Sequence, residues 1–354
     1  MLKHFKLLTL RIVKGARVFS LVHNSNWRSQ RLLILAYHGL SLDDEHEWSP
    51  GLYMKPDYFA ARLRLLKTIG SNVLPLGEGL RRLYSGDLPG KSVVITFDDG
   101  AYDFYRLGYP LLQQYGFPAT LYLTTFYSYY NRPVFDVMVS YLLWKGRVRS
   151  LSLGMLTGKD GMVSLSEAGA RSMALRALLD FARERNLSAE EKDALLGVLA
   201  KELMLDYDEF VGKGILRILK PEEVEKLDPS LISVQLHTHR HRTPKDRQLF
   251  LREIEDNRTS ILSMNHSRPT HFCYPSGVYD PAFCPWLGEA GIESATTCDI
   301  GLASPKSKPL FLPRLLDTSS ISPIEFEGWV TGVSAKMPQR PITSETGNSS
   351  RGLC

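Results

Sequence analysis

Two short stretches of the 354-residue chain carry side chains whose types and spacing can do chemistry. The first is VVITFDDG, residues 93 to 100, where an apolar run ends in two adjacent carboxylates, Asp98 and Asp99. The second is QLHTHRHRTP, residues 235 to 244, which holds His237, His239 and His241. Neighbouring residues on a strand point in different directions, so at a strand end one carboxylate can take a cation while the other reaches a water. Two adjacent carboxylates also repel, which favours a cation or a shared proton nearby. In a helical turn, His237 and His241 share a face and His239 points away; in a strand, all three share one face. Neutral imidazole is a common zinc ligand, and a carboxylate can supply a third bond. One Asp and two His leave room for water, the layout of a catalytic metal centre, and the spare Asp98 can then serve as general base. Each stretch also has an ordinary reading: DDG is common in turns, and a His/Arg run suits a basic surface loop.

These residues must be held by elements, and the pattern around them supplies candidates. RLLILAYHGL (31 to 40), KSVVITFDDG (91 to 100) and PATLYLTT (118 to 125) read as buried strands, with helical periodicity in residues 55 to 70 and 105 to 117 between them. Strand, helix, strand in that order predicts βαβ units and a largely parallel sheet. Parallel α/β folds bind ligands at the C-terminal ends of their strands, where Asp98 and Asp99 fall. Strand-like segments return at 231 to 239 and 270 to 277, with a helix over 246 to 265 between them. ESATTCD and PLFLPRLL can supply the last strands, and residues 281 to 292 a helix broken by Pro285. Residues 131 to 217 read as a mostly helical insertion, with Ser188 and Glu191 forming a capping box. The tail 334–354, rich in Ser, Thr, Pro and Gly, reads as disordered.

Composition is ordinary for a globular protein, 44% hydrophobic and 23% charged. No apolar run is long enough to demand a membrane span. Residues 1 to 31 hold seven basic residues and no acid, so the rest of the chain carries about −2. Nucleic-acid proteins carry basic charge on the folded body, so no nucleic-acid partner is expected. On a helical wheel Lys3, Lys6, Arg11, Lys14 and Arg17 fall opposite Phe5, Leu8, Ile12, Ala16 and Phe19. That pattern suits peripheral contact with an anionic membrane through residues 1–22, or a helix packed on the body. Charges interrupt every apolar run, which is a poor fit to a secretory signal. Cys273, Cys284, Cys298 and Cys354 lack metal-site spacing and suggest no disulfide framework. A cytoplasmic setting, at the inner face of a membrane, is the expectation.

TFDDG followed by HTHRH resembles the NodB-homology polysaccharide deacetylases, carbohydrate esterase family 4. The resemblance covers residues 30–130 and 218–333, between a basic arm (1–29) and the tail. It implies an α/β fold, an irregular (β/α) barrel with a helical insertion. It implies Asp98 as base, with Asp99, His237 and His241 holding one divalent metal, Zn²⁺ first and Co²⁺, Ni²⁺ or Mn²⁺ as alternatives. The family's Arg-x-Pro-Tyr motif reads CYPS here, with Cys273 at the Arg position and Ser276 at the Tyr position. A backbone N–H at Ser276 can still hold an oxyanion, and Arg314, from another loop, can replace the missing Arg. No histidine follows His271, so the family's C-terminal acid is absent. AYHG resembles the YH segment of the permuted branch containing poly-N-acetylglucosamine deacetylases, which makes His38 the candidate acid. Tyr274 and Trp286 are candidates for stacking on a sugar, and Asp299 for orienting a histidine or contacting a sugar; His271 reads as structural. The implied activity is hydrolysis of N-acetyl groups on a polysaccharide or lipid-linked precursor, in surface-glycan or exopolysaccharide synthesis. Alternatives are O-deacetylation, cleavage of another amide, or glycan binding without catalysis.

Overall fold

The structure is a computed structural model that describes residues 2–158 and 161–337. Seven strands form its centre: β1 (Leu33–Tyr37), β2 (Ser92–Phe97), β3 (Ala119–Leu123), β4 (Ile232–Leu236), β5 (His271–Cys273), β6 (Ser294–Ile300) and β7 (Leu312–Leu316). Each pairs in parallel with the next in the chain, and β1 pairs with both β7 and β2, which closes the ring. A short strand at Asn72–Val73 adds to the outside of β2. β1, β2, β3 and β5 are buried at every residue, which explains why they read as continuous apolar runs rather than alternating ones. Six of the seven strands fall inside the stretches expected from sequence, and β6 runs one residue past ESATTCD to Ile300. Closure makes the fold the expected (β/α) barrel.

Most expected helices form for the expected reasons. Pro56 opens Pro56–Thr68 at its first turn, and the Asp246 carboxylate accepts the Leu249 N–H to cap Arg247–Asn265. Pro285 does not break its helix. It sits in the first turn of Phe283–Glu289, where the missing N–H has no intrahelical partner to lose. Leu76–Ser85 is a helix that Pro75, Gly77 and Gly79 conceal in the sequence. A Cβ on Gly79 would lie 3.1 Å from Val94 and 3.2 Å from Leu32, so the glycine allows the helix to approach the barrel.

The chain between β3 and β4 builds a mostly helical block. Its main helices are Phe135–Lys145, Ala168–Glu184 and Ala189–Glu202, with one small antiparallel pair, Ser150–Ser152 and Met162–Ser164. They bury a second apolar cluster that includes Leu142, Leu178, Leu199 and Phe210. The expected capping box at Ser188 and Glu191 is present.

At the N-terminus, helix Leu2–Gly15 lies on helix Pro323–Thr331. It packs on the body through the buried Leu10, with Val13 beside it, while Lys6 pairs with Glu325, Lys14 pairs with Glu327 and Arg11 is exposed. Phe5, Leu8 and Ile12 face solvent, at 71%, 55% and 64% exposure. Arg28 is fully buried and donates to the carbonyls of Arg31, Ser92 and Val330, so the chain is already anchored there. Of the expected tail, Ser334–Lys336 form a single 3₁₀ turn, and residues 338–354, including Cys354, lie outside the described residues.

Candidate metal and catalytic site

The site is assembled where strands β1, β2, β4, β5 and β7 end. Asp98 and Asp99 follow β2 directly. The backbone reverses there: Asp99 has φ 68° and Gly100 φ 80°. A side chain at Gly100 would meet Leu123 Cδ1 at 2.2 Å, so only glycine fits the turn. Thr238, His241 and Ser276 are also left-handed, with φ of 63°, 54° and 55°. A β-branched residue in this region is strained, and strain tolerated at several site segments marks a geometry fixed by its surroundings.

Asp99 Oδ1 lies 3.0 Å from His237 Nε2 and 3.2 Å from His241 Nε2. The three ligand atoms lie within 4.8 Å of one another. His237 Nδ1 is 2.9 Å from the Cys273 carbonyl, which can only accept, so Nδ1 carries the proton. In the neutral ring, Nε2 is then a lone pair aimed at a carboxylate. The buried His241 Nε2 likewise has no hydrogen-bond partner among the described residues. Acceptors converging this closely call for a cation, and ligand atoms on a tetrahedral zinc stand roughly 3.3 Å apart. The donor set therefore fits a divalent metal held by Asp99, His237 and His241, and the Cys273 carbonyl fixes the His237 tautomer. Neither simple geometry for the histidines is adopted. They lie on a loop after β4, and His239 turns away to bond Thr125 Oγ1 through Nδ1.

Asp98 is 2% exposed and bound end-on by Arg314, Nη1 to Oδ1 at 2.7 Å and Nη2 to Oδ2 at 2.8 Å. Burial pushes the Asp98 carboxyl up, but the Arg314 guanidinium, helped by His38 and His237, outweighs it and holds the carboxyl below its usual range. Arg314 sits on β7 itself and not on the loop expected from sequence. Thr96 Oγ1 and the Thr297 carbonyl accept from it, and Nη2 lies 3.1 Å from Cys273 Sγ. The guanidinium thus occupies the space beside Cys273 and reaches Asp98 from a different strand.

His38, just beyond β1, places Nε2 3.7 Å from Asp98 Oδ2. Burial lowers its pKa, and the two carboxylates oppose that shift. Its Nδ1 is buried without a hydrogen-bond partner among the described residues. His38, Asp99 and His241 line a cavity of about 140 Å³ closed by Tyr53, Tyr127 and Asp136.

Ser276 lies in the half-buried 3₁₀ turn Pro275–Gly277 that follows β5, at the same end of the barrel. Tyr274 does not belong to a substrate surface. It is 1% exposed, packs on Phe272 and Phe311, and donates its hydroxyl to the Leu310 carbonyl. Trp286 packs on Phe250 and Phe283. Asp299 is exposed and accepts from the Tyr279 hydroxyl. His271 is buried and bonded to Ser294, a structural role as expected.

Sequence reasoning missed the residues that hold the site. The fully buried Asn257 accepts the His237 N–H and donates to Leu123 O and Thr125 Oγ1, bracing the histidine loop against β3. Glu253 accepts from Arg240 and Arg242 on the same loop. Asp103 accepts the Leu40 N–H and steadies the segment after His38. The available signal was polar residues on the inward face of a helix.

A closed parallel barrel with an Asp-His-His cluster at its strand ends defines the NodB-homology architecture. The polysaccharide deacetylase family model matches residues 85–143 and 189–295, omitting 144–188 inside the helical block. A Bacillus subtilis (strain 168) protein named for polysaccharide deacetylation, YxkH, is 34% identical over 94 residues, 26% of this chain and 32% of its own length. The chain therefore spans about a third of that relative. Solved structures share the fold at low identity. The Streptococcus pyogenes deacetylase PplD, in complex with acetate, has TM-score 0.56 and 19% identity over 87% of this chain and 99% of its own. IcaB from Ammonifex degensii has TM-score 0.54 and 17% identity over 85% and 97%. A de-N-acetylase from Aggregatibacter actinomycetemcomitans has TM-score 0.52 and 15% identity over 84% and 99%. The chain resembles the polysaccharide deacetylases of the NodB-homology type in fold and over the residues that the family model matches.

Proposed function

We propose that the protein is a metal-dependent deacetylase that hydrolyses N-acetyl groups on a glycan. The observation that carries this reading is the juxtaposition of a guanidinium-held carboxylate, Asp98, with the Asp99, His237 and His241 donor set. A divalent ion bound there, Zn²⁺ in this proposal, supplies a Lewis acid that acidifies water and polarises the acetyl carbonyl. Asp98 takes a proton from the attacking water, and Arg314 keeps the carboxylate ionised and aimed. The Ser276 backbone N–H, in its left-handed turn, is assigned to the oxyanion of the tetrahedral intermediate. His38 gives a proton to the departing sugar amine, and acetate leaves. Acetate and free amine are measured together on N-acetylglucosamine oligomers: one amine per acetate is expected. Acetate without amine, on an O-acetylated glycan only, would replace this reading with O-deacetylation.

The N-terminal helix supports peripheral membrane contact. A helix lying on a protein normally turns its apolar stripe inward. Here Leu10 and Val13 pack on the body, yet Phe5, Leu8 and Ile12 form a further apolar stripe that faces out, with Arg11 beside them and no acid in residues 2–23. That arrangement suits an interface of acyl chains and anionic headgroups. The protein is expected to sediment with phosphatidylglycerol vesicles and to lose binding in a Phe5→Ser/Ile12→Ser variant. Equal sedimentation of both would refute the contact.

A further inference from the structure

The cavity beside the metal donors, about 140 Å³, is small against the roughly 300–1,000 Å³ of sites that enclose a whole drug-sized ligand. It has room for a group the size of an acetamide and little more. Tyr127 and Asp136 line this cavity and also line a second, larger space of about 750 Å³. That groove runs between segment 126–136 and the helices Ala168–Glu184 and Ala189–Glu202.

One wall carries the rings of Phe126, Tyr127 and Tyr130, with Phe126 at 5.2 Å and 5.4 Å from the other two. From the same segment Arg132 donates from Nε to Asp193 Oδ2 on the facing helix Ala189–Glu202 at 2.9 Å, and Asp193 Oδ1 accepts the Tyr207 hydroxyl at 2.6 Å. Aromatic faces beside planar charged groups suit pyranose rings, which offer apolar C–H faces and equatorial hydroxyls. Leu179, Ala182 and Arg183 of the far wall fall within residues 144–188, the part the family model omits.

We infer that this groove binds the sugar residues adjoining the acetylated one, so that the substrate is a glycan chain running from the metal site into the helical block. The inference rests on the deacetylase reading for the chemistry at one end. The groove's continuity with the metal cavity names its occupant as the rest of the same molecule.

The test uses N-acetylglucosamine oligomers of one to six units with the metal-loaded protein. Acetate release gives kcat and KM, and calorimetry gives binding independently of turnover. Wild type should show KM falling about tenfold or more between one and four units, with kcat little changed. Tyr130→Ala and the groove-filling Leu179→Trp should raise the four-unit KM and Kd about tenfold, with metal content and one-unit turnover retained. Values independent of chain length, or variants that impair one-unit and four-unit substrates alike, would overturn the groove while leaving the deacetylase reading intact. Groove-dependent binding without acetate release would keep the groove and remove the deacetylase reading. Absence of both binding and turnover would overturn the inference.

Discussion

The barrel and the helical block hold their polar groups in opposite ways. In the barrel, the groups that hold the site make buried bonds: Asp98 to Arg314, His237 to the Cys273 carbonyl and to Asn257. In the block, polar contacts such as Arg132–Asp193 and Arg183–Asp180 lie at the surface. Buried charge pairs are rigid and costly to break, whereas exposed pairs contribute about 0–1 kcal/mol and yield easily. Under the proposed function, bond-making chemistry needs placement within about half an ångström, which buried bonds of this kind can give, while recognition of a glycan chain would tolerate looser contacts.

The comparison breaks or sharpens in a definite order. His241→Ala should have the largest effect, reducing bound metal from about one ion per chain to near none by elemental analysis and abolishing turnover. No metal in the wild type after addition of Zn²⁺, Co²⁺ and Ni²⁺ would remove the metal centre from the account. His38→Ala should keep the metal and lower kcat by about 10²–10⁴-fold. Unchanged turnover would take the acid role from His38. Leu178→Ala, in the core of the block, should cost about 2–5 kcal/mol by denaturant unfolding while the metal stays bound. Metal loss in this variant would show that block and barrel act as one unit. Ser188→Ala removes a cap and should cost about 1 kcal/mol, with kcat unchanged.

The barrel was legible because its strands are buried on both faces and so appear as apolar runs bounded by turns. Helix Leu76–Ser85 was not, because the glycines that let it approach Val94 and Leu32 also read as loop. The candidate donor set was legible in residue type and spacing, and its members converge in space. The direction of Tyr274 was not. An aromatic next to a functional turn looks available, and only packing on Phe272 and Phe311 shows where it went. Asn257 escaped because its partners on the histidine loop and β3 are distant in sequence and adjacent only once the barrel closes.

Arg314 has a consequence for how related sequences are compared. In a closed ring, several strands aim at the same point, so a guanidinium lost from one can be supplied by another. An alignment column holding Cys273 would score Asp98 as unsupported, although Arg314 grips it with two bonds from two strands further round. What the ring fixes is a position in space, and more than one strand can carry the group that fills it.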